Sequence, residues 1–134
     1  QKKIIQSVSN IGENIGIAFQ IKDDLFDYGK RKIGKPRGID IKEKKLTLPL
    51  IYTLNEVDKR KRKWIINSIK RHNKDKSRIK EIISLVKQTG GLEYAIEKMN
   101  YFHKLALDDL KKLPDNEFKK SLTDMIDYVI QRDF

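Results

Sequence analysis

An all-α fold is what this sequence predicts, and three observations carry the expectation. Apolar residues return in steps of three or four along most of the 134 residues, the spacing that lines one face of a helix. No segment alternates apolar and polar residues as a half-buried strand does. The main interruptions, Tyr28-Gly29, Thr89-Gly90-Gly91 and Pro114-Asp115, are of the kinds that end helices.

The first element is the clearest. Ile4, Val8, Ile11, Ile15 and Phe19 share one helical face, and the pattern runs through Asp27 to Tyr28-Gly29, where glycine can cap it. From Gly29 to Leu46 the period vanishes. Three glycines, one proline and eight Lys or Arg residues mark a long basic loop there, and loops of that length are uncommon and often functional. Leu48 to Val57 resumes as a helix with Pro49 in its first turn, where a missing amide proton costs least. Arg60 to Arg71 predicts a further helix, as does Ser77 to Gln88 with Ile79, Ile82, Ile83 and Val86 inward. Leu92 to Leu113 is a long amphipathic helix carrying Ala95, Ile96, Met99, Phe102, Ala106 and Leu110. Asp115 is positioned to cap a last helix with Phe118, Leu122, Met125 and Val129 inward.

The length suits about one domain. Hydrophobic residues make up 38% and charged residues 37%, a polar balance but an ordered one given the helical pattern. Without cysteine there is no disulfide, zinc-thiolate site or thiol nucleophile, and a reducing compartment fits. No apolar run approaches the roughly 20 residues of a membrane span. The chain opens on Gln1 directly in helical pattern, as a piece of a longer protein would. The net charge of +11 attracts polyanions in general, and much of it sits in Lys59-Arg60-Lys61-Arg62-Lys63. That run reads as a solvated helix face. Trp64, the aromatic residue beside it, opens the core pattern Trp64, Ile65, Ile69, so no nucleic-acid partner is expected.

Chemistry concentrates in Gly16 to Tyr28. Asp23, Asp24 and Asp27 stand among Phe19, Ile21, Leu25 and Phe26, and on a helix positions i, i+1 and i+4 share a side. Three like charges there repel, and a divalent metal would hold them; hard oxygen ligands of this kind suit Mg²⁺. Alone, Asp-Asp-x-x-Asp reads more readily as a solvated acidic turn. The basic loop behind it shifts the balance, because carboxylates that hold metal beside lysines make a site for a diphosphate.

Phe19-Gln20-Ile21-Lys22-Asp23-Asp24-Leu25-Phe26-Asp27, the Gly-Lys-x-x-Gly-x-Asp segment from Gly34 to Asp40, and the Lys-x-Thr-x-Pro segment from Lys45 to Pro49 together resemble trans-type isoprenyl diphosphate synthases, the polyprenyl synthetases. The match is to their second aspartate-rich motif and the loop after it. It continues weakly through Gly90 to Ala95 and Tyr128 to Arg132, so the chain resembles the C-terminal part of such an enzyme.

The resemblance implies an isoprenoid-synthase-type helical bundle: a motif helix over residues 1–28, a diphosphate loop over 29–47 and C-terminal helices over 48–134. It implies that Asp23, Asp24 and Asp27 hold Mg²⁺, directly or through water, against an allylic diphosphate. Phe19 and Gln20 would lie near the allylic chain and isopentenyl diphosphate, and Lys35 and Lys45 would contact the leaving diphosphate. The implied reaction is ionisation of the allylic diphosphate, attack by the isopentenyl double bond and loss of a proton. It also implies a cytoplasmic homodimer whose product can draw it to membranes. No nucleophile is needed, and His72 and His103 sit in ordinary helical context. Lys44 stands where the family usually has glycine, and the stretch from Asp27 to Lys35 is shorter than usual. The facing aspartate-rich motif is absent, so the 134-residue piece alone is expected to be inactive. Related class I terpenoid synthases share the aspartates but not the two loop motifs. A basic helical module that binds nucleic acid or an acidic partner through Lys59 to Lys63 is the non-enzymatic alternative.

Overall fold

The computed structural model describes residues 2–29 and 38–131, and those residues form helices and no strand. In chain order they are α1 (Lys2–Phe26), α2 (Ile39–Lys42), α3 (Leu48–Glu56), α4 (Lys59–Arg71), α5 (Lys76–Gln88), α6 (Gly91–Leu110) and α7 (Glu117–Gln131). The all-α expectation is met. The chain divides into two compact units, one of Gln1–Lys22 with Glu97–Asp133, the other spanning Asp23–Ile96. No described helix is long and apolar enough to cross a membrane.

The first unit is built on Ile11, Ala106, Leu110, Leu113 and Ile126, with Val8, Ile15, Leu107 and Leu122 packed against them. The predicted face of α1 is buried in its middle, while Ile4 and Phe19 at its ends are exposed. In α7 the inward face differs from the expectation. Ile126 is fully buried, whereas Phe118 and Met125 are exposed. Lys22 explains part of that rotation: its buried side chain donates from Nζ to the Ile130 carbonyl at 3.0 Å, satisfying an acceptor in the last turn of α7. The cap differs too. Asn116 Oδ1 accepts from the Lys119 amide at 3.0 Å, while Asp115 pairs with the Lys119 ammonium at 2.9 Å.

The second unit buries Tyr28, Ile41, Leu50, Ile65, Ile69, Ile82, Ile83 and Val86 in one cluster, each contributing about 1.5–3 kcal/mol when fully removed from water. Asp58 caps α4 through the Lys61 amide at 2.7 Å, and Asp75 caps α5 through the Ser77 and Arg78 amides. Gly91 lets α6 start against α3, since a Cβ there would sit 2.8 Å from the Pro49 carbonyl oxygen. Beside it Tyr52 and Tyr94 stack with centroids 4.5 Å apart. The basic run occupies the start of α4 and is tied into this unit. Lys61 pairs with Glu81 at 3.8 Å and lies over the Trp64 ring, and Arg62 Nε donates to the Leu54 carbonyl at 2.8 Å.

Candidate diphosphate and metal site

α1 ends at Phe26, one residue before the sequence reading placed its end, and the last turn tightens into Asp27 N–H to Asp24 C=O (3.3 Å) and Tyr28 N–H to Leu25 C=O (3.1 Å). The three carboxylates differ in exposure. Asp23 and Asp24 stay on the last helical turn, half-buried, while Asp27 lies past it and is fully buried. Its Oδ1 accepts the Asp40 backbone N–H at 3.0 Å, and its carbonyl accepts the Gly38 N–H at 3.0 Å. Two of the carboxylates are thus partly accessible, and the third is buried on loop backbone.

Asp24 Oδ2 accepts the Leu48 N–H at 3.2 Å, at the start of α3, where unpaired amides favour negative charge. The basic loop, expected to lack secondary structure, contains α2. Gly38 enters it with φ of +78°, and a Cβ there would meet Ile79 Cγ2 at 2.6 Å, so only glycine makes this entry without displacement. Asp40 is buried, and the Lys45 ammonium stands 3.8 Å from its carboxylate and 3.3 Å from Glu43. The hydrogen bond and charge of Glu43, then the charge of Asp40, raise the Lys45 ammonium above its ordinary value. Its side chain is 63% exposed, a charged arm at the surface. Behind it the Tyr28 hydroxyl and Thr47 Oγ1 lie 2.8 Å apart, and burial pushes the Tyr28 phenol well up.

Lys35 falls outside the described residues. Phe19 and Gln20 are exposed on α1. Among the described residues no three His, Cys, Asp or Glu side chains form a group that could hold a metal ion. Asp23 and Asp24 nevertheless suit one by chemistry: two hard, partly accessible carboxylates match the one or two that Mg²⁺ takes from protein, the rest of its shell being water and phosphate oxygen. Sequence reasoning assigned no role to Asp40, Tyr28 or Thr47. Asp40 carried a signal, standing as an acid between Ile39 and Ile41 inside the loop motif.

A family model described as Polyprenyl synthetase matches residues 1–86. The chain is 32% identical over 131 residues to solanesyl-diphosphate synthase 2, chloroplastic, of Oryza sativa subsp. japonica, covering 96% of this chain and 31% of that protein. Among solved structures, geranylgeranyl pyrophosphate synthase from Bacteroides thetaiotaomicron superposes with a TM-score of 0.84 at 40% identity, over 96% of this chain and 42% of that one. Polyprenyl synthase from Caulobacter crescentus CB15, solved with calcium and isoprenyl diphosphate, superposes with a TM-score of 0.82 at 26% identity, over 95% of this chain and 39% of that one. The chain spans well under half the length of each of these proteins.

Proposed function

The chain belongs to the polyprenyl synthetase family, and from that premise we propose that it supplies one side of the diphosphate site of a trans-type isoprenyl diphosphate synthase. The full protein would join an allylic diphosphate to isopentenyl diphosphate, giving a prenyl diphosphate one unit longer. The observation that carries the reading is that the partly accessible carboxylates Asp23 and Asp24 stand in one unit with a surface ammonium, Lys45, which feels the Asp23 charge and lies just past the loop that Asp27 ties down through the Asp40 amide.

In this role Asp23 and Asp24 would hold the divalent cation, Mg²⁺ by their hard-oxygen chemistry, with Asp27 bracing the turn behind them. When bound, the cation supplies positive charge against the departing diphosphate. Lys45 keeps its proton well past neutral pH and offers a second cation to the same leaving group. Lys35 would add another from the loop. Phe19 and Gln20 would face the hydrocarbon and isopentenyl portions of the substrates. The allylic carbon–oxygen bond breaks and its electron pair leaves with the diphosphate. The isopentenyl double bond then attacks the allylic carbocation left behind, and loss of a proton restores a double bond. A homodimer in the cytoplasm, with membrane contact only through a long product, belongs to the same proposal.

The test is incorporation of labelled isopentenyl diphosphate by the full-length protein. Asp23→Ala is expected to lower turnover by about 100-fold or more, the scale of losing a preorganised electrostatic group. Replacing Lys59 and Lys63 by Gln should leave it within about twofold, since exposed charges on a solvated face act weakly. Intact turnover in Asp23→Ala would overturn the metal assignment.

A further inference from the structure

Between α2 and α5 runs a groove of about 540 Å³, within the range of small-molecule sites. Ile39, Ile79 and Ile83 line it with apolar surface, and Lys42, Lys76, Lys80 and Lys87 line it with charge. Among the described residues no acidic side chain lines it. The acids of the surrounding elements are engaged elsewhere: Asp75 caps α5 and pairs with Arg78, Glu81 pairs with Lys61, and Glu43 and the buried Asp40 pair with Lys45.

The groove is built into the fold. Positions 76, 79, 80, 83 and 87 fall on one face of α5 by their three- and four-residue spacing. Gly38 packs so closely on Ile79 that α2 is held at a set approach to α5, and Asn73 Nδ2 donates to the Lys42 carbonyl at 2.6 Å, fixing the far end of α2. Four cations gathered around a concave apolar patch raise the local potential toward an anion, and lysine stems can lie along a hydrocarbon while their heads stay in water. The complementary ligand has a multiply charged anionic head and an apolar body. A single molecule suits the concavity, which contact with a flat bilayer surface does not require.

We infer that this groove is a second prenyl diphosphate site, one that shares no residue with Asp23, Asp24 or Lys45 and holds its ligand without metal. The choice of prenyl diphosphate rests on the function proposed above, because the product of that reaction joins a diphosphate to a hydrocarbon chain. Bound there, product would be retained on the protein away from the carboxylates that released it.

The test uses the full-length protein in excess EDTA, which removes the metal, with farnesyl thiodiphosphate as the probe read by calorimetry. Binding is expected, and Lys76→Glu with Lys80→Glu should weaken it by about tenfold or more through lost attraction and added repulsion. Ile79→Ser, checked for an unchanged melt, should also weaken it, since the chain lies on that residue. Inorganic diphosphate and farnesol, each carrying half of the ligand, should bind at least about tenfold more weakly than the probe. Absent probe binding in EDTA, or binding indifferent to the lysine and Ile79 variants, would overturn the inference. So would lysine-dependent binding of phosphatidylglycerol vesicles that the soluble probe cannot displace. Turnover with Mg²⁺, measured on the same preparations, reports the proposed reaction separately: lost turnover with intact groove binding condemns that reading, and the converse condemns this one.

Discussion

Lys44 holds a backbone φ of 63°, in the left-handed region where a side chain costs roughly 1–2 kcal/mol. The sequence made this residue conspicuous, since the resembling family usually has glycine there, but nothing in the residue order says that the turn after α2 still takes the glycine conformation. Lys44→Gly should therefore raise stability by up to about 1 kcal/mol, the relieved strain being partly offset by the greater freedom of an unfolded glycine. A urea midpoint that falls in this variant would refute the strain argument; Lys44→Ala, which keeps a Cβ, should gain nothing. Tyr28 makes a second case at this scale. Its folded phenol titrates above the ordinary value near 10, chiefly through burial, so the folded state holds a proton that the unfolded state gives up. Stability from this site is complete below about pH 10 and is lost as pH rises toward the folded value. Alkaline unfolding followed by the phenolate absorbance should be less steep in Tyr28→Phe, which at neutral pH loses about 1 kcal/mol with the Thr47 hydrogen bond.

At the scale of elements, the long helices were legible because each carries several turns of pattern, and their caps at Asp58 and Asp75 follow ordinary N-cap chemistry. α2 was not legible. Four residues are too few to show a period, and what holds them is tertiary: the Asp27 carboxylate on the Asp40 amide and Gly38 against Ile79. The inward face of α7 was misjudged for a similar reason. Phe118 and Met125 are as apolar as Leu122 and Ile126, and only the packing around Ile126 and the Lys22 bond to Ile130 chooses between the two stripes. Asp27→Ala should cost about 1–3 kcal/mol, the penalty for stranding a buried amide, and should speed hydrogen exchange at Asp40. Asp27→Asn keeps an oxygen acceptor and should cost less. If Asp27 braces the turn rather than binding metal, Asp27→Asn will retain most of the metal affinity measured by calorimetry, and a loss as large as that of Asp23→Ala would contradict this division of labour.

For the whole molecule, composition excluded thiol chemistry and a membrane span, and order along the chain placed a carboxylate motif just before a basic loop. Residue order did not reveal that the chain folds as two compact units, the first of which joins segments distant in sequence, because such closure depends on which faces meet. Nor did it show that Asp27 would be buried just past the end of α1 with its carboxylate on the Asp40 amide. Since the chain spans under half the length of its relatives and supplies one side of the proposed site, the 134-residue chain assayed alone with both substrates and Mg²⁺ is expected to form no product above the enzyme-free rate. Detectable elongation would show that its own carboxylates suffice.

The hydrogen bond between Asp27 and the Asp40 amide also bears on how this motif can be moved or graded. A designer who transplants Asp23 through Asp27 as a five-residue cassette onto another scaffold would carry over the two proposed ligands and leave behind the backbone that Asp27 hydrogen-bonds. In a collection of natural variants, changes at position 27 would then be sorted with misfolding alleles, and changes at position 23 with catalytically dead but well-folded ones.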